Sequence, residues 1–415
     1  MTFCVQDIDI RPLFNIQEET HVENIFRVRP GEYLVYHNSI LSKKKYYDIN
    51  ENLNCISEDE AITKINTQLK KIAKTHLTSN SAVLISGGLD SSSICSLISK
   101  LDNNIQGFTF VTAGNNGDVY NSKIVSEYCN INHNFIYFPE SEENPVKKIT
   151  ELVTILERPF WFTKLYANLI TYRKIKSENI NYLYTGLLND ELLAKYIDAE
   201  YFNIMRDPSE YSLYYDIENY IKNFNKATGD IFSNNIINKI DIKEYANNHF
   251  KKIYSNFKSN DIINQQAYYL MKTIGWFASE VEGKVGENAG VNLIHPLCDK
   301  EYCDLIASLP GIFKIGSKDK RLSKYIYRKA LFDILPESVV YRTTSDVGPE
   351  VFTWLNPNTI FMQVFNENKE FFKEILDEKL YKNILDGFIL IKWEYCMLLS
   401  TICIFVKEFN LNIKI

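Results

Sequence analysis

The sequence lacks a basic surplus, paired cysteines and any apolar run long enough to cross a membrane. Its formal net charge is -6, with lysines and acids interspersed, which is not typical of nucleic-acid-binding proteins. Its eight cysteines form no Cys-x-x-Cys pair, which predicts reduced core residues of a cytoplasmic protein. The most apolar stretch, residues 396–406, is far shorter than the ~18–20 residues of a membrane helix. Residues 1–9 show neither the basic start nor the apolar segment of a secretory signal. We therefore expect a cytoplasmic protein that binds neither nucleic acid nor membranes.

The length of 415 residues, 45% of them apolar, allows two to three average domains or one large α/β domain with an appendage. Near the start of the chain, a Pro30-Gly31 turn is followed by an alternating pattern that predicts strands up to Tyr47. This small β unit is too short to bury a core of its own. We expect it to pack on the residues that follow it.

From residue 57 the pattern changes to helices and strands in alternation. Ser57 and Glu60 have the spacing of a helix capping box, and strand-like runs follow at 82–85, 106–111, 134–138 and 182–185 with helical segments between them. Such alternation predicts a parallel sheet with helices on both faces. Helices are also predicted from Lys300, over 321–328 and in the final 60 residues, whereas residues 200–290 show no pattern that indicates chemistry.

The first predicted strand of this series ends abruptly at Ser86-Gly87-Gly88, and small residues follow from Asp90. We predict a buried strand, a glycine turn and a helix that begins near Asp90. This geometry aims backbone N–H groups and the positive end of a helix dipole at one place, which suits a phosphate. Ligands of parallel sheets bind at the carboxyl ends of strands, so Thr185 is expected to share this rim.

The polar side chains of the loop make the prediction more specific. Ser86, Ser91 and Ser92 offer hydroxyl donors to phosphate oxygens, and Asp90 offers a hard carboxylate to Mg²⁺. This loop does not match a kinase-type P-loop, because that motif has a longer glycine frame that ends in Lys-Ser/Thr. The order Ser-Gly-Gly-Leu-Asp-Ser-Ser resembles the pyrophosphate loop of the N-type ATP pyrophosphatases.

Five further sequence motifs accompany the loop at residues 86–92: one precedes it and four follow it. They are Arg29-Pro30-Gly31 with Tyr46-Tyr47, Thr185–Glu191, Pro296–Asp299, Lys324–Arg328 and Leu335-Pro336. Over residues 25–410 their order and spacing resemble the synthetase domain of asparagine synthetase B and its relatives, the β-lactam synthetases and the lasso-peptide cyclases. The family sequences at the middle three positions are Ser-Gly-Glu-Gly-x-Asp-Glu, Pro-Phe-Leu-Asp and Lys-x-x-x-Arg.

The resemblance implies a fold and a domain division. The expected fold is α/β: a parallel sheet flanked by helices, as in N-type ATP pyrophosphatases and related adenine nucleotide alpha hydrolases, with a helical C-terminal part. Residues 1–50 would be a short, non-catalytic β remnant of an Ntn-type glutaminase domain. Residues 51–415 would form the ATP-dependent amide synthetase domain.

The resemblance also implies residue roles. Asp90 and Asp190 would hold Mg²⁺ against the phosphates of ATP, and Lys324 would offset charge on pyrophosphate or an acyl-adenylate. Glu157 would lie near the reacting carbonyl. The residues expected to contact ATP are Leu84, Ser86, Gly87, Gly88, Asp90, Ser91, Ser92, Thr185 and Gly186.

The chain departs from the family at three places. Thr2 stands where the glutaminase has its catalytic cysteine, and most of that domain is missing, so we expect no use of glutamine. Thr344 replaces the lysine of the family's Arg-x-Lys loop, which leaves Arg342 and Lys324 as the nearest candidates for a catalytic cation. Leu187 and Leu188 replace Glu and Gly of the Ser-Gly-Glu-Gly segment, so the acyl pocket is expected to be apolar.

These features favour an enzyme that adenylates a carboxylate and passes it to an amine, with release of AMP and pyrophosphate. The substrate would be a small molecule or peptide in natural-product biosynthesis, for example in macrolactam formation of the lasso type, with a precursor peptide or biosynthetic partner protein. Ammonia-dependent asparagine synthesis is a second possibility. Because Thr344 replaces the family lysine, a third possibility is a degenerate partner subunit that binds a nucleotide but catalyses no reaction.

Overall fold

The structure is a computed structural model. It describes residues 2–4, 18, 20–49, 56–111, 116–138, 143–161, 164–195, 217–218, 221–222, 231–238, 241–257, 259–317, 320–342 and 355–414, and the account below is confined to them. Within these ranges, no helix is both long enough and apolar enough to span a bilayer.

The described strands are numbered in chain order. They are β1 (Thr2–Cys4), β2 (Glu32–His37), β3 (Ile40–Lys45), β4 (Ser81–Leu84), β5 (Gln106–Val111), β6 (Asn132–Tyr137), β7 (Tyr182–Tyr184), β8 (Asn292–Ile294), β9 (Gly316–Ser317), β10 (Lys320–Arg321) and β11 (Asn412–Lys414).

The described α-helices follow the same convention. They are α1 (Glu58–Thr75), α2 (Leu89–Ser99), α3 (Asn116–Cys129), α4 (Pro145–Leu156), α5 (Lys164–Ser177), α6 (Asn189–Leu192), α7 (Asn234–Ile237), α8 (Ile242–Tyr254), α9 (Ile262–Leu270), α10 (Trp276–Ala289), α11 (Lys300–Ala307), α12 (Gly311–Ile315), α13 (Tyr325–Ala330), α14 (Glu337–Val340), α15 (Pro357–Glu367), α16 (Lys369–Ile375), α17 (Glu378–Leu385) and α18 (Trp393–Glu408). A π-helical turn, Met271–Gly275, joins α9 to α10.

A five-stranded sheet in the order β6-β5-β4-β7-β8 forms the centre of the fold. All four strand pairs are parallel. In the middle strand, Ala82 and Val83 are fully buried because helices cover both faces of the sheet. One core cluster contains residues of α4, α5, α10, α15 and α18, and the other contains residues of α1, α2, α11 and α13. The predicted parallel sheet flanked by helices, with a helical C-terminal part, is confirmed.

The N-terminal β unit is an antiparallel hairpin of β2 and β3. Its two-residue turn, Asn38-Ser39, has φ 48° and 60°, the left-handed values that a type I′ turn requires. The segment after β3 is tied to the main body by the Tyr47 hydroxyl, which donates to Asp304 at 3.0 Å. The hairpin therefore rests on the helical part of the chain, as expected for a unit without its own core.

The local predictions hold at α1 and differ around residue 324. Ser57 caps α1 by accepting a hydrogen bond from the Glu60 N–H. The helix predicted over 321–328 begins only at Tyr325, because Lys324 has φ 61°, and a left-handed residue cannot continue a right-handed helix. Arg321 instead pairs with Gly316 in a short ribbon of β9 and β10.

Candidate functional site

A cavity of about 230 Å³ opens at the carboxyl ends of the central strands. The residues that follow β4, β7 and β8, namely Ser86, Thr185 and His295, all line it. The shared rim that the strand pattern predicts is therefore present. The full lining consists of Leu84, Ile85, Ser86, Gly88, Asp90, Ser91, Thr109, Phe110, Asp118, Lys164, Asn168, Tyr172, Thr185, Gly186, Leu187, Asp190, Glu282 and His295.

Most of the residues predicted to contact ATP line this cavity. They are Leu84, Ser86, Gly88, Asp90, Ser91, Thr185 and Gly186. Gly87 and Ser92 are not among the lining residues. Gly87 turns the loop with φ 69°, and the Ser92 hydroxyl donates to the Gly88 carbonyl at 2.6 Å inside the first turn of α2.

The loop after β4 is held open by its own serines. The Ser86 backbone N–H donates to Ser91 Oγ at 3.2 Å, and the two serine hydroxyls lie 3.0 Å apart. Ser86 Oγ also accepts a hydrogen bond from the Gly88 N–H at 3.3 Å. Gly88 is the N-cap of α2, and no described side chain caps this helix. The N–H groups of its first turn are thus available for an anion.

The loop after β7 lies so close to α2 that there is no room for a side chain at Gly186. A Cβ atom on Gly186 would lie 2.6 Å from the backbone nitrogen of Ser91 and 2.8 Å from Asp90 Cβ. Because only glycine fits there, the loop brings Asp190, at the start of α6, close to Asp90.

Lys324 lies between these two carboxylates. Its ammonium forms short ion pairs with Asp90 and with Asp190. Asn189 also donates to Asp90 at 2.5 Å, and Lys195 donates to Asp190 at 3.2 Å. Three of the residues that the family resemblance singles out are therefore in direct contact, although Lys324 lies at the N-cap of α13 and not within a helix.

Burial and charge act in opposite directions in this cluster. Burial opposes the charged form of Lys324, but the attraction of Asp90 and Asp190 outweighs it, and the pKa of Lys324 is raised. Burial likewise opposes ionisation of Asp190, but Lys324 and Lys195 lower its pKa. At the adjacent Glu191, burial, with the Asp190 charge added, outweighs the opposing attraction of Lys324 and raises the pKa to about 7.

Arg342 is placed at the loop and not at the carboxylate pair. It donates to the Gly87 carbonyl and, at 3.0 Å, to Asp118, which lines the cavity. Arg342 therefore fixes the turn of the phosphate-shaped loop. Thr344, the other residue of this motif, lies outside the described residues.

His295 and Glu282 are cavity residues that the sequence interpretation missed. His295 Nδ1 lies 2.6 Å from Thr185 Oγ1, and burial lowers the pKa of this histidine to about 4. Because His295 follows β8 directly, the rule that identified Ser86 and Thr185 would also have found it. Glu282 lies in the stretch 200–290, where the sequence shows no pattern that indicates chemistry, and the structure places it in the cavity lining. Its one sequence signal is an acid beside the apolar positions Phe277, Val281 and Val285 of α10.

Glu282 is oriented by two neutral donors from α5. Asn168 Nδ2 donates to one carboxylate oxygen at 2.6 Å, and the Tyr172 hydroxyl donates to the other at 2.8 Å. Burial raises the pKa of Glu282, while Lys164 acts in the opposite direction. Asn168 is 2% exposed, and its Oδ1 has no hydrogen-bond partner among the described residues. Such a buried acceptor is suited to a ligand N–H group.

Glu157 is not brought into the cavity. It is the C-cap of α4 with φ 54°, its side chain is 64% exposed, and it forms an ion pair with Lys284 at 2.7 Å. The expected position near a reacting carbonyl finds no support in this geometry. Glu282 lines the cavity, whereas Glu157 does not.

The two aspartates suit one kind of metal site. Mg²⁺ in nucleotide sites is held by one or two protein carboxylates together with phosphate oxygens. Among the described residues, no group of three or more His, Cys, Asp or Glu side chains could hold a metal by itself. Asp90 and Asp190 therefore fit a Mg²⁺ that arrives with a nucleotide.

The family model described as Asparagine synthase matches residues 64–393. No curated protein sequence matches the chain. Two similar solved structures are the NH3-dependent NAD synthetase from Campylobacter jejuni subsp. jejuni NCTC 11168 in complex with the nitrate ion, and the NMN synthetase from Francisella tularensis. The first is 13% identical with a TM-score of 0.24 and covers 48% of this chain and 95% of that chain. The second has the same identity and TM-score and covers 47% and 94%.

Proposed function

The chain belongs to the asparagine synthase family, and from that premise we propose that it forms an amide bond in two ATP-dependent steps. In the first step, a carboxylate oxygen of the substrate attacks the α-phosphorus of ATP, and pyrophosphate leaves. In the second step, an amine nitrogen attacks the activated carbonyl carbon, the nitrogen loses a proton, and AMP leaves. ATP-dependent ligation is the chemistry of the family, and the AMP-forming route is our proposal.

The polarity of the cavity is the observation that carries this proposal. One set of lining groups is the serine loop, the N-terminus of α2 and the pair Asp90 and Asp190, which Lys324 joins. The second set is Glu282 with its donors from α5. The first set suits the phosphates of a nucleotide, and the second suits the N–H groups of an amine.

Asp90 and Asp190 would hold Mg²⁺, which supplies neutralising charge to the phosphates of ATP when it is bound. The hydroxyls of Ser86 and Ser91 and the first N–H groups of α2 would receive the phosphate oxygens. Arg342 holds the loop carbonyl away from the phosphates by its bond to Gly87. The loop is therefore preorganised before a nucleotide enters.

Lys324 would stabilise negative charge as pyrophosphate leaves. It is 3% exposed, so its charge acts where water is largely excluded and an electrostatic interaction is several-fold stronger than in water. Its raised pKa keeps it protonated at neutral pH. Lys324 could therefore act without the family's Arg-x-Lys lysine, which is Thr344 in this chain.

Glu282 would accept the proton of the attacking amine. Burial raises the pKa of its carboxyl group, which makes the carboxylate a better proton acceptor than an exposed glutamate. The bonds from Asn168 and Tyr172 fix its two oxygens, so the carboxylate does not have to reorganise during proton transfer. Neither donor is charged.

The apolar wall of the cavity supports a substrate other than aspartate. Leu187, Leu84, Ile85 and Phe110 line it, and Leu187 stands where the family has a glutamate. We propose a small-molecule or peptide carboxylate from natural-product biosynthesis, such as a macrolactam precursor whose own amine closes the ring. A precursor peptide or partner protein would supply it, in the cytoplasm.

The decisive experiment measures AMP and pyrophosphate together, with candidate peptides encoded near the gene as substrates. We expect equimolar release by the wild type and no release by Asp90→Asn. Asp59→Asn, an exposed aspartate in the first turn of α1, is the matched control and should keep full activity. Release of ADP and phosphate would contradict the proposed route.

One observation favours a second candidate, a nucleotide-binding subunit without chemistry. Lys324 already forms ion pairs with both carboxylates that would hold Mg²⁺. In that case ATP would bind with no AMP formed across all the peptides tested. Ammonia-dependent asparagine synthesis would instead give AMP with aspartate and ammonia, which the apolar Leu187 wall disfavours.

A further inference from the structure

The two cations expected near the reaction are both engaged inside the protein. Lys324 forms ion pairs with Asp90 and Asp190, and it is not among the lining residues of the cavity. Arg342 forms an ion pair with Asp118. Each of these cations therefore already has a carboxylate of the chain itself as its partner, and the carboxylate of a substrate needs another one.

One further lysine lines the cavity. Lys164, the first residue of α5, is the one Lys or Arg among the described residues of the lining. No described carboxylate forms an ion pair with it, because the ion pairs of α5 lie further along the helix, at Arg173 and Lys174. The same lining contains four acids, which are Asp90, Asp118, Asp190 and Glu282. Lys164 is therefore an unpaired cation in an otherwise acidic wall.

Helix stability does not explain the position of Lys164. A positive side chain in the first turn of a helix opposes the helix dipole, which favours acids at that end. The residue is also only partly exposed, so water does not fully hydrate its charge. A residue that is unfavourable in both respects and lines a cavity is typical of a functional site.

The face of α5 that carries Lys164 also holds Glu282. Lys164, Asn168 and Tyr172 follow one another at intervals of four residues, so they lie on one face of the helix, and all three line the cavity. Asn168 and Tyr172 each donate to one oxygen of Glu282. The charge of Lys164 acts against the burial that raises the pKa of Glu282, but the two groups form no ion pair. The ammonium group is thus near the proposed proton acceptor and still available to a ligand.

The proposed reaction needs a cation at this wall. The substrate carboxylate and the phosphates of ATP are both negative, and the cavity they share is lined by acids. A carboxylate that leaves water for such a place without a partner is strongly disfavoured. An ammonium group that pairs with it removes this cost, and the attraction is stronger in the cavity than in water.

We propose that Lys164 binds the carboxylate of the substrate and holds it for attack on ATP. This inference rests on the proposed function and adds the residue that recognises the acyl partner. In the first step, one carboxylate oxygen forms a bond to the α-phosphorus, the bond from that phosphorus to pyrophosphate breaks, and Lys164 keeps its proton. The other oxygen stays beside the ammonium group, where it takes up negative charge when the amine attacks the carbonyl carbon.

The test measures binding without turnover, by calorimetric titration of the whole protein with hexanoate and, separately, with hexanamide. The two probes share an apolar chain, and only hexanoate carries a charge. The proteins compared are the wild type, Lys164→Met, Lys164→Arg and the control Lys174→Met. Lys174 is exposed on the same helix, pairs with Glu178 and does not line the cavity.

We expect the wild type and Lys174→Met to bind hexanoate about tenfold more tightly than hexanamide, or more. Lys164→Met keeps the length of the side chain without its charge, so its preference should fall below about twofold, whereas Lys164→Arg should keep the preference. A merely structural role of Lys164 would change both affinities together and leave their ratio unchanged. An unchanged ratio in Lys164→Met, or the absence of a hexanoate preference in the wild type, overturns the proposal.

Rates of AMP formation separate this inference from the proposed function. If the wild type forms AMP and Lys164→Met does so at the same rate, the ligase reaction stands and the role of Lys164 is refuted. If the hexanoate preference depends on Lys164 but no AMP is formed with any peptide tested, the carboxylate site stands and the ligase reaction is refuted.

Discussion

The ammonium group of Lys324 forms an ion pair with the carboxylate of Asp90, 234 positions earlier in the chain. Asp190 joins the same ammonium from a third segment. A single lysine therefore connects the phosphate-shaped loop, the loop after β7 and the start of α13. Because a charge removed from such a buried cluster leaves its partners unpaired, this lysine is important for both the folded cluster and the reaction.

We predict that Lys324→Ala reduces AMP formation by about 10²–10³-fold or more, because no other described cation touches both Asp90 and Asp190. The measurement is the rate of AMP and pyrophosphate release with the cognate substrate. Lys329→Ala, in the helix α13 that follows Lys324 and paired with Glu58, is the matched control and should change the rate less than threefold. Equal rates in the two variants would remove Lys324 from the mechanism.

A second prediction concerns the close approach at Gly186. A Cβ atom there would lie 2.6 Å from Ser91 N, and backbone atoms cannot give way cheaply. Gly186→Ala should therefore destabilise the fold by about 1–3 kcal/mol and abolish Mg-ATP binding. Denaturant unfolding and calorimetry measure the two effects.

The control for this substitution is Gly283→Ala in α10, where a Cβ atom would meet nothing within 4 Å. An alanine in a helix interior is favoured over glycine by about 1 kcal/mol, so this variant should be as stable as the wild type or more stable. Tight Mg-ATP binding by Gly186→Ala would show that the nucleotide does not use this junction.

The sequence predicted the sheet well because its signals were local. The run at 83–85, the two glycines and the serines lie within one strand, one turn and one helix start, so neighbouring residues determine the geometry. The position of Lys324 was predicted less well. It has a positive φ and forms ion pairs with Asp90 and Asp190, which are far away in the sequence.

Glu282 shows why the far side of the cavity was missed. It has no motif, and its importance comes from Asn168 and Tyr172, more than 100 positions earlier. Glu157 is the opposite case, since the family resemblance predicted a role for a residue that is exposed in the fold and does not line the cavity. Ser86 and Thr185, which were identified by an adjacent strand end, line the cavity, whereas Glu157, at the end of a helix, does not.

A third prediction tests Glu282 as the proton acceptor. Glu282→Gln keeps the shape of the side chain but removes the base, so we expect AMP formation to fall by about 10²–10⁴-fold with Mg-ATP affinity changed less than threefold. Glu287→Gln, exposed on the same helix, is the control and should behave as the wild type. If Glu282→Gln lost Mg-ATP binding instead, the carboxylate would belong to the nucleotide subsite and not to the amine.

The last prediction follows from Glu191, which is 5% exposed beside the Asp190 carboxylate. Its pKa is about 7 in the folded protein, against 4.5 for an ordinary glutamate. The folded state holds this proton more tightly than the unfolded state does. The protonated Glu191 therefore makes its full contribution to the free energy of unfolding below about pH 4.5. That contribution is lost as the pH rises through 7. At ~1.4 kcal/mol for each pKa unit, the full loss is at most about 3 kcal/mol.

Glu191→Gln does not titrate, so it should gain stability relative to the wild type as the pH is raised. We expect the difference in the free energy of unfolding, variant minus wild type, to become more positive by about 1–3 kcal/mol between pH 5 and pH 8. Urea unfolding at both pH values measures it, with Glu287→Gln as the control whose difference should stay constant. A difference for Glu191→Gln that is equal at the two pH values would show that Glu191 is ionised throughout this range. In that case the nearby Lys324, and not proton uptake, would balance its charge.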